Sequence, residues 1–334
     1  MTRPANRYWS ESQEFLGSIE TPYGLYQIIL AVPRNPYSAR IQQVDTKLNT
    51  IQGHCMTIAT SQKLPLNWYA IIWIGGLHIL ACLAFFPSNF SWSAVGVALL
   101  LHWITGGVGI TLGWHRLVSH RSFQVPKWLE YFLVLCGTLS CQAGPLDWIG
   151  MHRIHHLHSD KDFDPHNSNK GFWWSHVVWM LYDIPANSEV HKFTKDIADD
   201  PFYQFCQKYF IPIQFALGFL LYLLGGFPFV IWGIFVRMVV VFHCTWLVNS
   251  ATHKFGYRSY NSEDQSRNCW WVALMTYGEG WHNNHHTFQY SARHGLHWWE
   301  IDITWMTIRL FQILGLATNV KLPTEERRQA LSTN

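Results

Sequence analysis

Charge is what this chain most lacks. Only 13% of its 334 residues are Asp, Glu, Lys or Arg, against about 25% in an average soluble domain. A net charge of +3 is too small to suggest a nucleic-acid surface. Cysteine is equally uninformative as a framework. The seven present (Cys55, Cys82, Cys136, Cys141, Cys206, Cys244 and Cys269) are odd in number and form no Cys-x-x-Cys pair. Several lie in apolar runs, so buried reduced thiols are expected. No secretory leader opens the chain: residues 1–65 are polar, and the apolar stretch 26–32 is too short to span a bilayer. This leader is expected to be disordered, with Met56 as an alternative start.

Aromatic residues are what the chain has in excess, at 16% with 19 Trp and 21 Phe. Together with low charge they indicate a membrane protein, because Trp and Tyr collect at the lipid–water boundary. Four apolar runs approach the ~20 residues a helix needs to cross hydrocarbon, at about 68–86, 92–112, 209–224 and 229–248. The links at 87–91 and 225–228 carry no Lys or Arg. The positive-inside rule therefore places both termini and the histidine-rich segments on the cytoplasmic side. The expected fold is all-α: four transmembrane helices and a cytoplasmic helical domain within residues 66–322. The segment 128–142, interrupted by Glu130, reads as a helix against the bundle or at the interface, and 172–182 as an aromatic belt. An apolar stripe at Trp298, Ile301, Trp305 and Ile308 predicts a helix over 298–316. The tail 323–334 is expected to be disordered. Arg237, inside the fourth run, is a candidate for a functional or pairing role.

Histidine supplies the chemistry. His152, His155 and His156 stand at i, i+3 and i+4, and His282, His285 and His286 repeat the pattern, so each triplet shares a helical face. His115 and His120 are five apart, about 140° around an α-helix, which predicts a helix end or break between them. His253, with Asn249 four residues before it, follows the fourth run. One tetrahedral zinc takes four ligands. Nine nitrogens, with Asn249 as an oxygen ligand directly or through water, argue for two metals of higher coordination number. Imidazole leaves the metal's identity open. Glu279, Asp160, Asp162, Asp164 and Asp302 are candidates to orient the rings from behind. His78, His102, His176, His191 and His243 read as packing residues, and His158, His166, His294 and His297 as surface or supporting ones.

At these residues the chain resembles the membrane-bound fatty acyl desaturases with histidine boxes. HRLVSH at 115–120, HRIHH at 152–156 and HNNHH at 282–286 match that family's pattern in order and spacing, and NSATH at 249–253 matches its stearoyl branch. The run 257–268 and its continuation to 299 look like the bacterial and cyanobacterial Δ9 acyl-lipid type. The resemblance implies an enzyme with two Fe(2+) ions that uses O2 and two external electrons to convert a saturated acyl chain to a cis-unsaturated one. It further implies ferredoxin or another one-electron donor as partner, a glycerolipid substrate, and a thylakoid or plasma membrane. An acyl-CoA substrate is the alternative carrier; Arg116, Arg121, Lys127 and Arg153 would then form a basic patch for it. A hydroxylase built on the same boxes is the nearest rival. A histidine-rich metal transporter is disfavoured, because Arg237 is nearly the only charge at depth in the runs. A tunnel running beside the second run would pass Trp103, about 18 Å along the helix from His115, and Trp103 would then limit acyl length.

Overall fold

Two glycine-rich approaches and one helix reversal position everything else in this molecule. The computed structural model describes residues 64–333, and the backbone of 17–21 and 24–28. The chain divides into two compact units, 1–63 and 64–334. In the first, β1 (Gly17–Thr21) pairs antiparallel with β2 (Gly24–Ile28), Gly17 opposite Ile28 and Thr21 opposite Gly24. The leader read as disordered thus contains a strand pair. The β-forming residues Ile19, Tyr26 and Ile28 lie within these strands. The alternative start at Met56 lies outside the described residues.

The second unit is helical, and among its described residues β pairing is limited to isolated bridges. Helix α1 (Trp68–Ala81) starts where the Asn67 side chain accepts from the Ala70 N–H. Helix α2 (Trp92–His102) starts at Ser91 in the same way. It then widens into a π-helix over Trp103–Ser119, a geometry uncommon outside functional sites. Helix α3 (Lys127–Thr138) lies directly against this π segment, as expected for a helix resting on the bundle. The approach is as close as backbones allow. A Cβ on Gly109 would stand 2.3 Å from the Gly137 nitrogen, and one on Gly113 would stand 2.9 Å from the Leu133 carbonyl oxygen. Gly109→Ala must therefore push α3 away, at an overpacking cost of about 1–3 kcal/mol. Gly96→Ala has nothing within 4 Å and is expected to be neutral or slightly stabilising. Thermal unfolding in detergent compares the two.

Among the described residues, three helical runs are long and apolar enough to cross a membrane: Trp68–Phe85, Trp92–Ser119 and Pro201–His253. The last has 53 residues, about 80 Å if straight, more than twice a ~30 Å hydrocarbon core. It is not straight. Within α5 (Pro201–Val230) helical geometry fails at Gly225 (φ −158°) and Gly226 (φ +67°), the second a conformation that glycine tolerates without a side-chain clash. Beyond the break the chain passes through a π turn, Ile231–Val236, into α6 (Arg237–Ser250). A Cβ on Gly233 would stand 2.8 Å from Leu221, and one on Gly218 3.7 Å from Ile234. The arms on either side of the break therefore pack on one another.

Arg237 is 1% exposed and donates to the carbonyls of Gly233 and Leu139, at 3.0 and 2.6 Å. It ties α6 to the end of α3. Helix α4 (Pro145–His158) opens on a proline, which lacks only an N–H the first turn leaves unpaired. The aromatic stretch 172–182 becomes a short helix, Phe172–His176, and a 3-10 turn, Val178–Leu181. Helix α7 (His282–Thr287) carries the last triplet.

Two further expectations need correction. The helix predicted over 298–316 begins only at Ile303, because the Asp302 side chain accepts from the Trp305 N–H and caps α8 (Ile303–Ile313). The tail is helical: α9 (Glu325–Leu331) is capped by Thr324, has two glutamates in its first turn, and is anchored where Asn261 N–H meets the Leu331 carbonyl at 2.9 Å.

Candidate metal centre

The nine histidines form two adjoining groups. His115, His120, His152, His156 and His285 bring ligand atoms within 4.8 Å of one another, and so do His155, His253, His282 and His286. Each triplet is divided between them. On α4, His152 and His156 turn to the five-ring group and His155 to the other; on α7, His285 joins the five and His282 and His286 the four.

The helix end expected between His115 and His120 is observed: the π segment closes at Ser119, with His120 as its C-cap. The His120 N–H bonds the His115 carbonyl at 3.1 Å, the i→i+5 step of a π turn, so residues five apart come near one another. Their ring centroids are 4.8 Å apart. The 140° separation holds only for an α-helix, and this helix is not α there.

Ring nitrogens meet head to head. Nε2–Nε2 distances are 2.8 Å for His120–His152, 3.1 Å for His115–His285, 2.9 Å for His285–His156 and 3.3 Å for His155–His286. Behind several rings stands a carboxylate. His155 Nδ1 is 3.0 Å from Asp164, His253 Nδ1 is 2.9 Å from Asp160, His115 Nδ1 is 2.8 Å from Glu279, and His286 Nδ1 pairs with Asp264. A neutral ring that donates from Nδ1 keeps its lone pair on Nε2. His155 and His286 therefore face each other lone pair to lone pair, an arrangement that a cation between them makes favourable. Metal–nitrogen bonds of about 2.1 Å at right angles put neighbouring nitrogens about 3.0 Å apart, close to the spacing observed. Nε2 of His253 and both ring nitrogens of His282 are buried without a hydrogen-bond partner among the described residues. The donor set fits metal ions.

Electrostatics agree. Burial first, then the neighbouring rings, push His120, His152, His156, His282 and His285 well below the ordinary histidine range, so they stay neutral as ligands must. Burial alone would raise the acids behind them. The facing rings instead hold Asp160, Asp164 and Asp264 below the usual carboxylate range. Glu279 is held down most strongly by Arg116, then by His115 and His294.

The sequence had no spacing signal for Asp264, which reaches His286 from a loop 22 residues earlier. Asp264→Asn is expected to weaken metal retention about 10- to 100-fold, the usual cost of removing a partner behind a ligand. Metal per chain after graded chelation measures it. Asp162 does not take the role expected of it. It is exposed and touches none of the clustered rings among the described contacts, because the loop after α4 turns Asp160 and Asp164 inward. Asp302 also touches no clustered ring. It accepts from Arg116 Nη1 at 2.9 Å, and Arg116, fully buried, donates onward to Glu279 at 3.0 Å.

The basic residues considered for an acyl-CoA all have acidic partners or are buried, although Arg121 and Lys127 pair at the surface with more than half of each side chain exposed. Arg116 is buried, Arg121 and Arg153 pair with Asp196, and Lys127 pairs with Glu130 and Asp200.

Two cavities meet at the centre. A cavity of about 490 Å³ runs from Asn67, Tyr69 and Asp147 to His152 and Asn249. A smaller one continues from His152, His155 and His282 to His102, Cys244 and Tyr277. Asn249, Trp148 and Thr245 line both. Trp103 lines neither and is 44% exposed; the helix turns its ring outward. At the far end of the smaller cavity, which His102 and Tyr277 both line, His102 Nδ1 lies 2.6 Å from the Tyr277 hydroxyl.

Long apolar helices carrying a buried polyhistidine centre with acids behind it define a membrane protein built to hold metal ions. The sequence model of the fatty acid desaturase family matches residues 90–311, and the chain belongs to that family. It is 72% identical over 267 residues to the sn-1 stearoyl-lipid 9-desaturase of Anabaena variabilis, covering 80% of this chain and 98% of that one. Identity is 65% with the sn-1 stearoyl-lipid 9-desaturase of Synechocystis sp., over 79% and 83% of the two chains. It is 46% with the palmitoyl-monogalactosyldiacylglycerol delta-7 desaturase of Arabidopsis thaliana, over 80% and 72%.

Proposed function

We propose that this chain is an O2-dependent acyl-lipid desaturase forming a cis double bond at Δ9 of a stearoyl chain esterified in a glycerolipid. The observation that carries the reading is the two-group histidine centre at the waist where two neighbouring cavities share Trp148, His152, Thr245 and Asn249, in a chain 72% identical to a stearoyl-lipid 9-desaturase. Two Fe(2+) ions would be held, one by His115, His120, His152, His156 and His285 and one by His155, His253, His282 and His286. Asn249 would add a ligand to the second, directly or through water. Two dications (+4) match the four carboxylates (−4) of Glu279, Asp160, Asp164 and Asp264 behind the rings. When bound, the ions supply O2 activation and the oxidising power to remove two hydrogens. In balance, the saturated chain, O2, two electrons and two protons give the alkene and two waters. The electrons come singly from a donor such as ferredoxin.

The protein's own contribution is positioning. At the waist, Trp148 Nε1 donates to Gln142 Oε1 (3.2 Å) and Gln142 Nε2 to Thr245 Oγ1 (2.8 Å). This bridge joins α4 to α6 through residues that line the cavities beside the rings, and so would hold the acyl chain with one C–C bond presented and water kept out. The break at Gly225 and Gly226 makes four membrane crossings from three helical runs. With uncharged links on the far side, the centre faces the cytoplasm, in a cyanobacterial thylakoid or plasma membrane.

Acyl length follows from the cavity's end. Tyr277→Ala is expected to raise the share of longer acyl products severalfold, whereas Trp103→Ala, facing outward, is expected to leave the profile unchanged. Chromatography of total fatty acids decides both. The function itself is tested by expression in a host lacking unsaturated acyl lipids, with mass spectrometry of intact glycerolipids. The expected product is two mass units lighter and unsaturated at Δ9. A product heavier by one oxygen identifies a hydroxylase, and an unchanged lipid pool contradicts the reading.

A further inference from the structure

Three histidines outside the metal centre, His78, His243 and His176, join end to end. His78 Nδ1 lies 2.7 Å from the Ile74 carbonyl, and His78 Nε2 lies 3.0 Å from His243 Nε2. His243 Nδ1 lies 3.0 Å from His176 Nε2, and His176 Nδ1 lies 2.9 Å from Ser250 Oγ. Both nitrogens of every ring thus have a partner, unlike those of the clustered His282. The Ile74 carbonyl sets the direction. It can only accept, so His78 carries its proton on Nδ1 and accepts at Nε2 from His243, which accepts in turn from His176. Neutral rings complete the chain without an ion, and none of the three faces a carboxylate among the described contacts.

The chain joins three separate elements. His78 is on α1, His243 and Ser250 are on α6, and His176 ends the short helix Phe172–His176. These elements, with the turn Val178–Leu181, wall the larger cavity: Trp73 and Ile74 from α1, Phe242 and Trp246 from α6, Trp179 and Met180 from the turn. Trp246 is where chain and cavity meet. Its ring stacks on His78, with centroids 6.4 Å apart and 16° between planes. It stands edge-on to His243 (5.0 Å, 71°) and to His176 (5.7 Å, 80°), and its carbonyl accepts from Ser250 Oγ at 2.7 Å. With three rings against it, the indole is only 4% exposed and has little room to turn. Apolar packing alone would join these elements; a fully paired polar chain also fixes the rotation of each ring.

We propose that His78, His176 and His243 are positioning residues for the desaturation, a clasp that holds Trp246 as the wall against which the acyl chain lies. None of the three belongs to either histidine group of the metal centre, so the clasp acts on the cavity and not on the ions. This inference rests on the acyl-lipid reading above.

The test uses the full-length protein purified from the host lacking unsaturated acyl lipids, comparing wild type, His78→Phe, His243→Phe, His243→Gln and the exposed control His191→Ala. Mass spectrometry counts the stearoyl-glycerolipid retained per chain after graded detergent washing, Co(II) uptake reports the metal centre, and KM and kcat are measured separately. The phenylalanine variants are expected to take up Co(II) as wild type does. They are expected to lose lipid retention and to raise KM about tenfold, the worth of roughly one buried hydrogen bond, with kcat within about twofold of wild type. His243→Gln keeps a donor and an acceptor and is expected to recover most of both; His191→Ala is expected to match wild type. If His243→Phe does not fold, His78→Phe, at the half-buried end of the chain, carries the same expectation. Unchanged retention and KM in a folded phenylalanine variant overturn the proposal, even if unfolding temperature drops, because the chain is then only a brace of the fold. Loss of Co(II) together with lipid also overturns it, since the rings would then support the metal centre. A wild type that retains no stearoyl-lipid and makes no unsaturated product overturns the acyl-lipid reading and this inference with it.

Discussion

Glu279→Ala is expected to lose both metal and product, and to lower stability more than any other single change considered. The carboxylate stands under three groups at once. It takes Arg116 Nε at 3.0 Å on one oxygen, and the other lies 2.8 and 3.0 Å from Nδ1 of His115 and His294. Removing it leaves a guanidinium with 0% side-chain exposure held only by Asp302 and the Ala292 carbonyl. Breaking a buried ion pair from one side costs about 3–5 kcal/mol. At the same time two ring N–H groups lose the acceptor that fixes tautomer and orientation. Glu279→Gln separates the effects, since it keeps volume and one acceptor but removes the charge. It is expected to recover part of the stability while still retaining much less metal than wild type. Thermal unfolding and metal content, measured on the same preparations, give both numbers.

His285→Ala is expected to reduce product by more than the ~100-fold that marks the upper end for residues behind a ligand. Its Nε2 lies 3.1 Å from that of His115 and 2.9 Å from that of His156, so it joins the first histidine segment to the second. Without it the five-ring group loses the nitrogen placed between the π segment Trp103–Ser119 and α4. Lipid analysis in the host lacking unsaturated acyl chains reads the effect. His297→Ala, exposed and outside the centre, is expected to match wild type.

Much of the site was legible because helical spacing is local. Rings at i, i+3 and i+4 must share a face, and two such triplets point to a common centre. The grouping was not legible. Which ion each ring serves depends on how α4 and α7 cross, and the triplets prove to be divided. The helix end between His115 and His120 was legible from their five-residue spacing, but the π geometry that precedes it was not; the close approach of α3 at Gly109 and Gly113 accompanies that geometry. Asp160 and Asp164 could be picked by nearness in sequence, but nothing local separates them from Asp162. Asp264, Arg116 and His294 are joined to the centre by tertiary folding alone. Arg116 looked like a headgroup or carrier contact because arginine beside a membrane usually is one; burial reversed that reading.

The same division runs through the fold. Apolar length located the helices of the membrane region, and Gly225 and Gly226 marked the reversal between the last two. Helix ends were less visible. The cap at Asp302 moved the start of α8, and the tail's helix is completed by contacts with residues 259–261, far away in sequence.

The central claim is that three histidine segments and His253 build two adjacent metal sites. An anomalous difference map at the iron edge, from crystals of the protein reconstituted with iron, tests it most directly. Two peaks are predicted, one within His115, His120, His152, His156 and His285 and one within His155, His253, His282 and His286. A single peak, or peaks away from these rings, would contradict it.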